Sequence, residues 1–206
     1  MTKGVRPLPM RSMNYVWPLI AYLVGSVPMA IVVAQVFRLP DPRTTGSHNP
    51  GTTNILRYGG KAAAAVTLAG DVLKGVLAIT VVEFAAPDPS VLALSGLGVF
   101  LGHLYPVFFR FQGGKGVATA LGVWLALVPG VGLSLLVTWI VVAAAFRYSS
   151  LAALVAACLA PIYVFWFAPT GAYVALSLTM TALLVWRHRT NVRKLLAGTE
   201  GRIGAR

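Results

Sequence analysis

The sequence predicts an all-α, polytopic integral membrane protein: a single bundle of about seven transmembrane helices. Three observations lead there. Of its 206 residues, 57% are hydrophobic and only 11% are charged, less than half the roughly 25% usual in soluble domains. Mean hydropathy is +0.77. The apolar residues fall in continuous runs, several near the roughly 20 residues that cross a bilayer, and they do not alternate as barrel strands do.

The runs follow in order. Residues 1–14 are a basic extension. Tyr15–Phe37 is the first span, and it is too long and too directly joined to polar sequence for a cleaved signal. A polar loop follows. Ala62–Ala85 is the second span and contains Asp71 and Lys74. Pro87-Asp88-Pro89 is a tight turn, and Val91–Phe109 is the third span. Val117–Val128 and Val131–Phe146, divided by Pro129-Gly130, are short for complete crossings. Leu151–Ala168 and Ala172–Trp186 close the bundle, and residues 188–206 form a basic tail.

The net charge of +12 has an explanation within the membrane, so nucleic acid is not needed to account for it. If all seven runs cross, thirteen Lys and Arg lie on one face and three on the other. The basic face is then cytoplasmic, which puts the N-terminus outside and the C-terminus inside. Residues 41–61, 110–116, 147–150 and 187–200 all fall on that face and hold nearly every side chain able to do chemistry.

Within these segments, 41–61 reads as an extended loop crowded with small hydrogen-bonding residues, with Arg43 and Arg57 among them. Short polar side chains, accessible backbone N–H groups and guanidinium forks suit phosphate, although turns use the same residues. Gly113-Gly114-Lys115-Gly116 precedes a helix and forms an anion site or a basic anchor. It departs from the nucleotide-binding loop, which needs Ser or Thr where Gly116 stands. His188 and Asn191 are three apart and share a face if the last helix continues. Asp71 and Lys74 fit either an intramembrane functional pair or a self-neutralising one. Ser26, before Pro28, suits a close helix contact with a proline kink. His103 reads as structural, and His48 as either structural or functional.

Several chemistries are missing. Five residues after His48, His103 and His188 stand Thr53, Phe108 and Arg193, so there is no His-x-x-x-x-Asp pair to deprotonate a hydroxyl. There is no Gly-x-Ser-x-Gly elbow. The five acids are scattered, and the single Cys158 rules out an internal disulfide. No metal or cofactor is expected.

Taken together, six segments resemble the PlsY family, the bacterial membrane glycerol-3-phosphate acyltransferases that use acyl phosphate. They are Tyr22-Leu-Val-Gly-Ser-Val-Pro28, Gly46-Ser-His-Asn-Pro-Gly-Thr-Thr-Asn-Ile-Leu-Arg57, Gly70-Asp-Val-Leu-Lys-Gly75, Gly102-His-Leu-Tyr-Pro-Val-Phe108, Gly113-Gly-Lys-Gly-Val-Ala-Thr119, and His188-Arg-Thr-Asn191 with Gly198-Thr-Glu200 behind it. They occur in family order over residues 15–200. The resemblance implies a seven-helix bundle in the bacterial inner membrane with its active site at the cytoplasmic face. It implies Ser47, Arg57, Lys115, His188 and Asn191 as catalytic residues. It further implies Gly46, Asn49, Gly51, Thr53, Asn54, Gly113, Gly114, Gly116 and Ser150 as substrate-binding, with Ser149 the alternative to Ser150. Acyl phosphate, glycerol 3-phosphate, membrane lipid and the peripheral enzyme that makes acyl phosphate are the implied partners. The rival reading is a transporter for a phosphorylated solute, which predicts polar residues deeper in the spans and an internal repeat. A third is a scaffold for lipid enzymes, which needs no converging polar segments.

Overall fold

A computed structural model describes residues 13–204, and all regular structure within them is helical. A short 3-10 turn, Met13–Tyr15, leads into α1 (Val16–Gly25) and α2 (Met29–Val36). Then come α3 (Thr52–Ala85), α4 (Pro89–Leu104), a second 3-10 turn (Val107–Phe109), α5 (Val117–Leu127) and α6 (Pro129–Phe146). The described chain ends with α7 (Ser149–Phe167), α8 (Gly171–Arg187) and α9 (Arg189–Leu196). All but the last two residues of the expected basic extension, 1–14, lie outside the described residues.

Among the described residues, five stretches are long and apolar enough to cross a membrane: Val16–Val36, Thr52–Ala85, Pro89–Phe109, Pro129–Phe146 and Ser149–Phe167. The stretch around 131–146 is therefore long enough, contrary to its expected shortness. Adding Pro129 and Gly130 at the helix start extends it, because proline is compatible with a first helical turn. The segment around 117–128 is short, as expected: α5 has 11 residues, roughly 16 Å of helix against a hydrocarbon core of about 30 Å. α8, with 17 residues, is also below the usual crossing length.

Two boundaries differ from the sequence reading. The first run is not one kinked helix but two, broken at Ser26-Val27-Pro28. More importantly, the polar segment 41–61 is a loop only as far as Gly51. Helix α3 begins at Thr52 and runs for 34 residues, with a kink at Gly60 (φ 81°, ψ 178°). The kink divides a polar first part, Thr52–Gly59, from the apolar part that follows. The polar part lacks an apolar stripe, which hid its helicity; only Asn54 and Ile55 within it are buried.

Helices approach closely where side chains are absent. A Cβ on Gly25 of α1 would collide with the Val99 carbonyl of α4, and one on Gly102 of α4 with the Tyr22 carbonyl of α1. Gly122 of α5 lies in the same way against Val72 of α3. Small residues let helix backbones meet in lipid, where hydrophobic burial supplies little association energy. The packed interior includes Val99, Phe100, Val123 and Trp124. Phe84, Ile140, Phe165 and Trp166 remain outward-facing and exposed, as suits a surface solvated by lipid.

Candidate active site

The four polar segments converge at one end of the bundle. The N-terminal ends of α3, α5 and α7 meet the C-terminal end of α8, and α9 and residues 197–204 fold back over them. Thr53 Oγ1 lies 3.1 Å from Ser149 Oγ. Ser150 Oγ donates to Glu200 Oε1 at 2.6 Å. Asn191 Nδ2 donates to the same carboxylate oxygen at 2.7 Å, and Asn191 Oδ1 accepts from Lys115 Nζ. Ser150, Glu200, Asn191 and Lys115 thus form one hydrogen-bonded chain across three segments. The carboxylate settles the amide orientation: it can only accept, so Asn191 turns its NH2 to Glu200 and its oxygen to Lys115.

The Gly113-Gly114 loop is held from two sides. Gly114 N donates to the His103 carbonyl at 3.1 Å. Arg187 donates from Nη2 to Gly113 O at 2.7 Å, and to Gly114 O from Nη2 at 2.9 Å and Nε at 3.1 Å. Its guanidinium also stands over the Tyr105 ring, 5.4 Å from the centroid.

On the α3 side, Asn54 organises the preceding loop. Its Nδ2 donates to Pro42 O and Thr45 O, and its Oδ1 accepts from Ser47 N. Gly46 adopts φ +65°, and a Cβ there would strike Asn54 Oδ1, so this turn requires glycine.

These contacts enclose a cavity of about 210 Å³ lined by Ser47, His48, Asn49, Lys115, Arg187, Arg189, Thr190, Asn191 and Lys194. Its lining is cationic and rich in donors, and no carboxylate belongs to it. Burial holds the Lys115 ammonium down at about 8, helped by the charges of Arg187, Arg57 and Lys194, while Glu200 acts the other way. An arriving anion would relieve this repulsion. His188 is held down to about 4, first by burial and then by the charge of Lys115, so it is neutral at pH 7. Its Nδ1 lies 2.9 Å from the Leu184 carbonyl. A carbonyl only accepts, so the proton sits on Nδ1 and Nε2 keeps its lone pair.

The structure places the expected residues unevenly. Ser47, Asn49, Lys115 and Asn191 line the cavity. Arg57 is exposed and outside the lining, with its guanidinium beside Gly201. His188 is buried beside Lys115, and the expected continuous helix through His188 and Asn191 is instead broken at His188, the boundary between α8 and α9. Thr53 and Ser149 pair with each other, whereas Ser150 is committed to Glu200. Asn54, Gly46 and Gly116 shape backbone; Gly116 has φ +86° and packs against Phe100. Gly51 caps the start of α3. Gly113 and Gly114 are buried and offer carbonyls to Arg187 rather than N–H groups to an anion.

Arg187, Lys194 and Glu200 were not identified from sequence. Arg187 and Lys194 read only as positive charge beside a membrane. Glu200 did carry a signal, since it is the one acid after Asp88 and stands in a basic tail. Among the described residues, no three His, Cys, Asp or Glu side chains gather as a metal set.

A family model described as glycerol-3-phosphate acyltransferase matches residues 15–198. Relatives named glycerol-3-phosphate acyltransferase include one from Bordetella petrii, 55% identical over 91% of this chain and 92% of its own. Another, from Burkholderia ambifaria, is 59% identical over 90% and 89%, and one from Methylococcus capsulatus is 53% identical over 92% and 97%. Two crystal structures of PlsY (YgiH), an integral membrane glycerol 3-phosphate acyltransferase, are similar to this chain. Its glycerol 3-phosphate form superposes with a TM-score of 0.89, and its lysophosphatidic acid form with 0.87. Each is 37% identical, with 93% of this chain and 96% of PlsY covered. On the family model's span and on relatives this similar over nearly their whole length, the chain belongs to the glycerol-3-phosphate acyltransferase family.

Proposed function

We propose that this protein transfers an acyl group from acyl phosphate to the sn-1 hydroxyl of glycerol 3-phosphate, releasing lysophosphatidic acid and inorganic phosphate. The observation that carries the reading is the cavity: Lys115, Arg187, Arg189 and Lys194 line one donor-rich space, matching a reaction in which both substrates are phosphorylated. The naming of PlsY structures for a glycerol 3-phosphate form and a lysophosphatidic acid form supports the same acceptor and product.

In this reading the cations offset the repulsion between two phosphates and hold the acceptor hydroxyl against the acyl carbonyl, which lowers the barrier through positioning. The hydroxyl oxygen bonds to the carbonyl carbon, the carbon–oxygen bond to phosphate breaks, and the hydroxyl proton leaves with the phosphate. A mixed anhydride is already activated, so no enzyme nucleophile is required. Ser47, Lys115 and Asn191 contact substrate. Arg57, whose charge already acts on Lys115, adds to the positive field at the phosphates. His188, neutral and weakly basic, accepts a hydrogen bond through Nε2 and positions the acceptor; a general base works best with a pKa near the operating pH. Asn49, Thr53 and Ser149 bind phosphate oxygens, and the loop glycines shape the backbone around them.

With seven crossings in the inner membrane, the thirteen-to-three distribution of basic residues supports an N-terminus outside and a cavity facing the cytoplasm. Residues 15–187 form the bundle domain, and 188–206 a cytoplasmic tail. The acyl chain lies between helices in lipid, and a peripheral enzyme delivers the donor from the cytoplasm.

The test is a donor assay. Purified protein in lipid receives labelled glycerol 3-phosphate with acyl phosphate, acyl-CoA or an acyl carrier protein thioester. Lysophosphatidate from acyl phosphate alone is expected. Product from a thioester would overturn the donor and the proton step. No product from any donor in folded protein would overturn the acyltransferase reading.

A further inference from the structure

Three ionisable side chains lie inside the bundle away from the cavity, and the reaction as proposed does not use them. Asp71, Lys74 and His103 are 1%, 7% and 3% exposed. Lys74 Nζ stands 2.8 Å from Asp71 Oδ1, 2.9 Å from His103 Nδ1 and 2.9 Å from the Val27 carbonyl. An ammonium has three protons, and these partners take all of them. His103 Nδ1 is therefore the acceptor, and its proton sits on Nε2.

The partners show what the cluster fastens. Val27 O is a carbonyl released by the break between α1 and α2, since Ile31 N bonds instead to Pro28 O. Met29 N, freed by the same break, approaches Asp71 Oδ1 at 3.4 Å. In lipid such backbone groups need internal partners. At its other end, His103 catches Gly114 N with its carbonyl. Its ring lies so close beneath Gly114 that a Cβ there would strike Nε2. Gly114 in turn presents its carbonyl to Arg187, and Lys115 follows it directly. A connected path thus runs from the helix break through Asp71, Lys74 and the His103 ring, and on through the His103 backbone carbonyl to the cavity wall.

A buried ion pair is poor evidence of net stabilisation, because desolvation cancels most of the attraction and apolar replacements of similar size are often tolerated. Stability alone therefore does not explain three polar groups in this bundle, whereas attachment of the loop does. We propose that Asp71, Lys74 and His103 are positioning residues for acyl transfer, holding the Gly113–Lys115 backbone where Arg187 and Lys115 complete the phosphate site. The proposal rests on reading the cavity as the glycerol 3-phosphate site.

The test separates the two. Asp71→Asn combined with Lys74→Met removes both charges at similar volume. It also leaves the Val27 carbonyl without its donor, so the thermal midpoint is expected to fall by a few degrees while the protein still folds. The double change is also expected to speed amide exchange at Gly114 at least about tenfold and to lower kcat/KM for glycerol 3-phosphate roughly 10- to 100-fold. His103→Gln, which keeps an acceptor for Lys74, should lose less than His103→Leu. Wild-type exchange and kinetics in the folded double variant would overturn the proposal. So would failure of the double variant and of His103→Gln to fold, since the cluster would then hold the bundle rather than the loop. If wild-type protein neither binds nor acylates glycerol 3-phosphate, the functional reading fails. The exchange measurement uses no substrate and still decides whether the cluster holds the loop.

Discussion

Lys115 Nζ donates to Asn191 Oδ1 across 76 positions of sequence, joining the loop before α5 to the helix that follows α8. The two residues come from segments separated by four helices, and each has a second constraint. Lys115 follows a loop gripped by Arg187, and Asn191 is turned by Glu200. The pair therefore has a set geometry before a phosphate arrives.

Protonation of Lys115 should limit the alkaline side of activity. With burial and neighbouring cations holding its amine down at about 8, the free enzyme loses the cation as pH rises through that value. kcat/KM for glycerol 3-phosphate is expected to fall above about pH 8. Lys115→Arg, which stays charged, should lose that limb while keeping some activity, although the fork fits Asn191 less well. The check is a pH profile of both proteins.

Glu200 should act through Asn191 and Lys115. In Glu200→Gln the amide oxygen can still accept from Ser150 and Asn191, but the charge that supports the Lys115 ammonium is gone. The alkaline limb should move to lower pH. Glu200→Ala also frees the Asn191 amide. Loss of a hydrogen bond to a charged group costs about 1.5–3 kcal/mol, or roughly a 10- to 100-fold fall in kcat/KM. Steady-state kinetics at two pH values distinguish the variants.

His188→Ala is expected to lower the rate without reshaping the pH profile between about pH 5.5 and 7.5, because His188 is already neutral there. Loss of an acidic limb in the variant would instead make His188 the base.

Gly113→Ala should destabilise the protein, since its Cβ would collide with the backbone carbonyls of His103 and Leu104. Overpacking of this kind costs about 1–3 kcal/mol. Gly171→Ala, with nothing within 4 Å, should stay within about 0.5 kcal/mol of wild type. Thermal midpoints in detergent test the contrast.

Most of the fold was legible because lipid imposes a simple rule: a spanning segment is apolar and satisfies its own backbone. What escaped was helix without an apolar face. Thr52–Gly59 looked like loop because its side chains serve a site rather than a core, although the Gly-Gly pair at 59–60 marks where the kink falls. The break at Ser26-Val27-Pro28 looked like a kink within one helix because its freed backbone groups are satisfied by Lys74 and Asp71, on α3, more than forty residues away.

The sequence by itself determined the all-helical membrane character, the clustering of chemistry in four polar segments, and most of the candidate residues, because composition, charge and short motifs are local properties. Tertiary structure alone decided which of those residues share a cavity. It separated Ser149, paired with Thr53, from Ser150, bound to Glu200, and it moved Asn54 from ligand to loop. It also brought in Arg187, Lys194 and Glu200. Hydrogen bonds reach about 3 Å, and no pattern along the chain reports which carbonyl 73 residues away lies within that distance of Arg187.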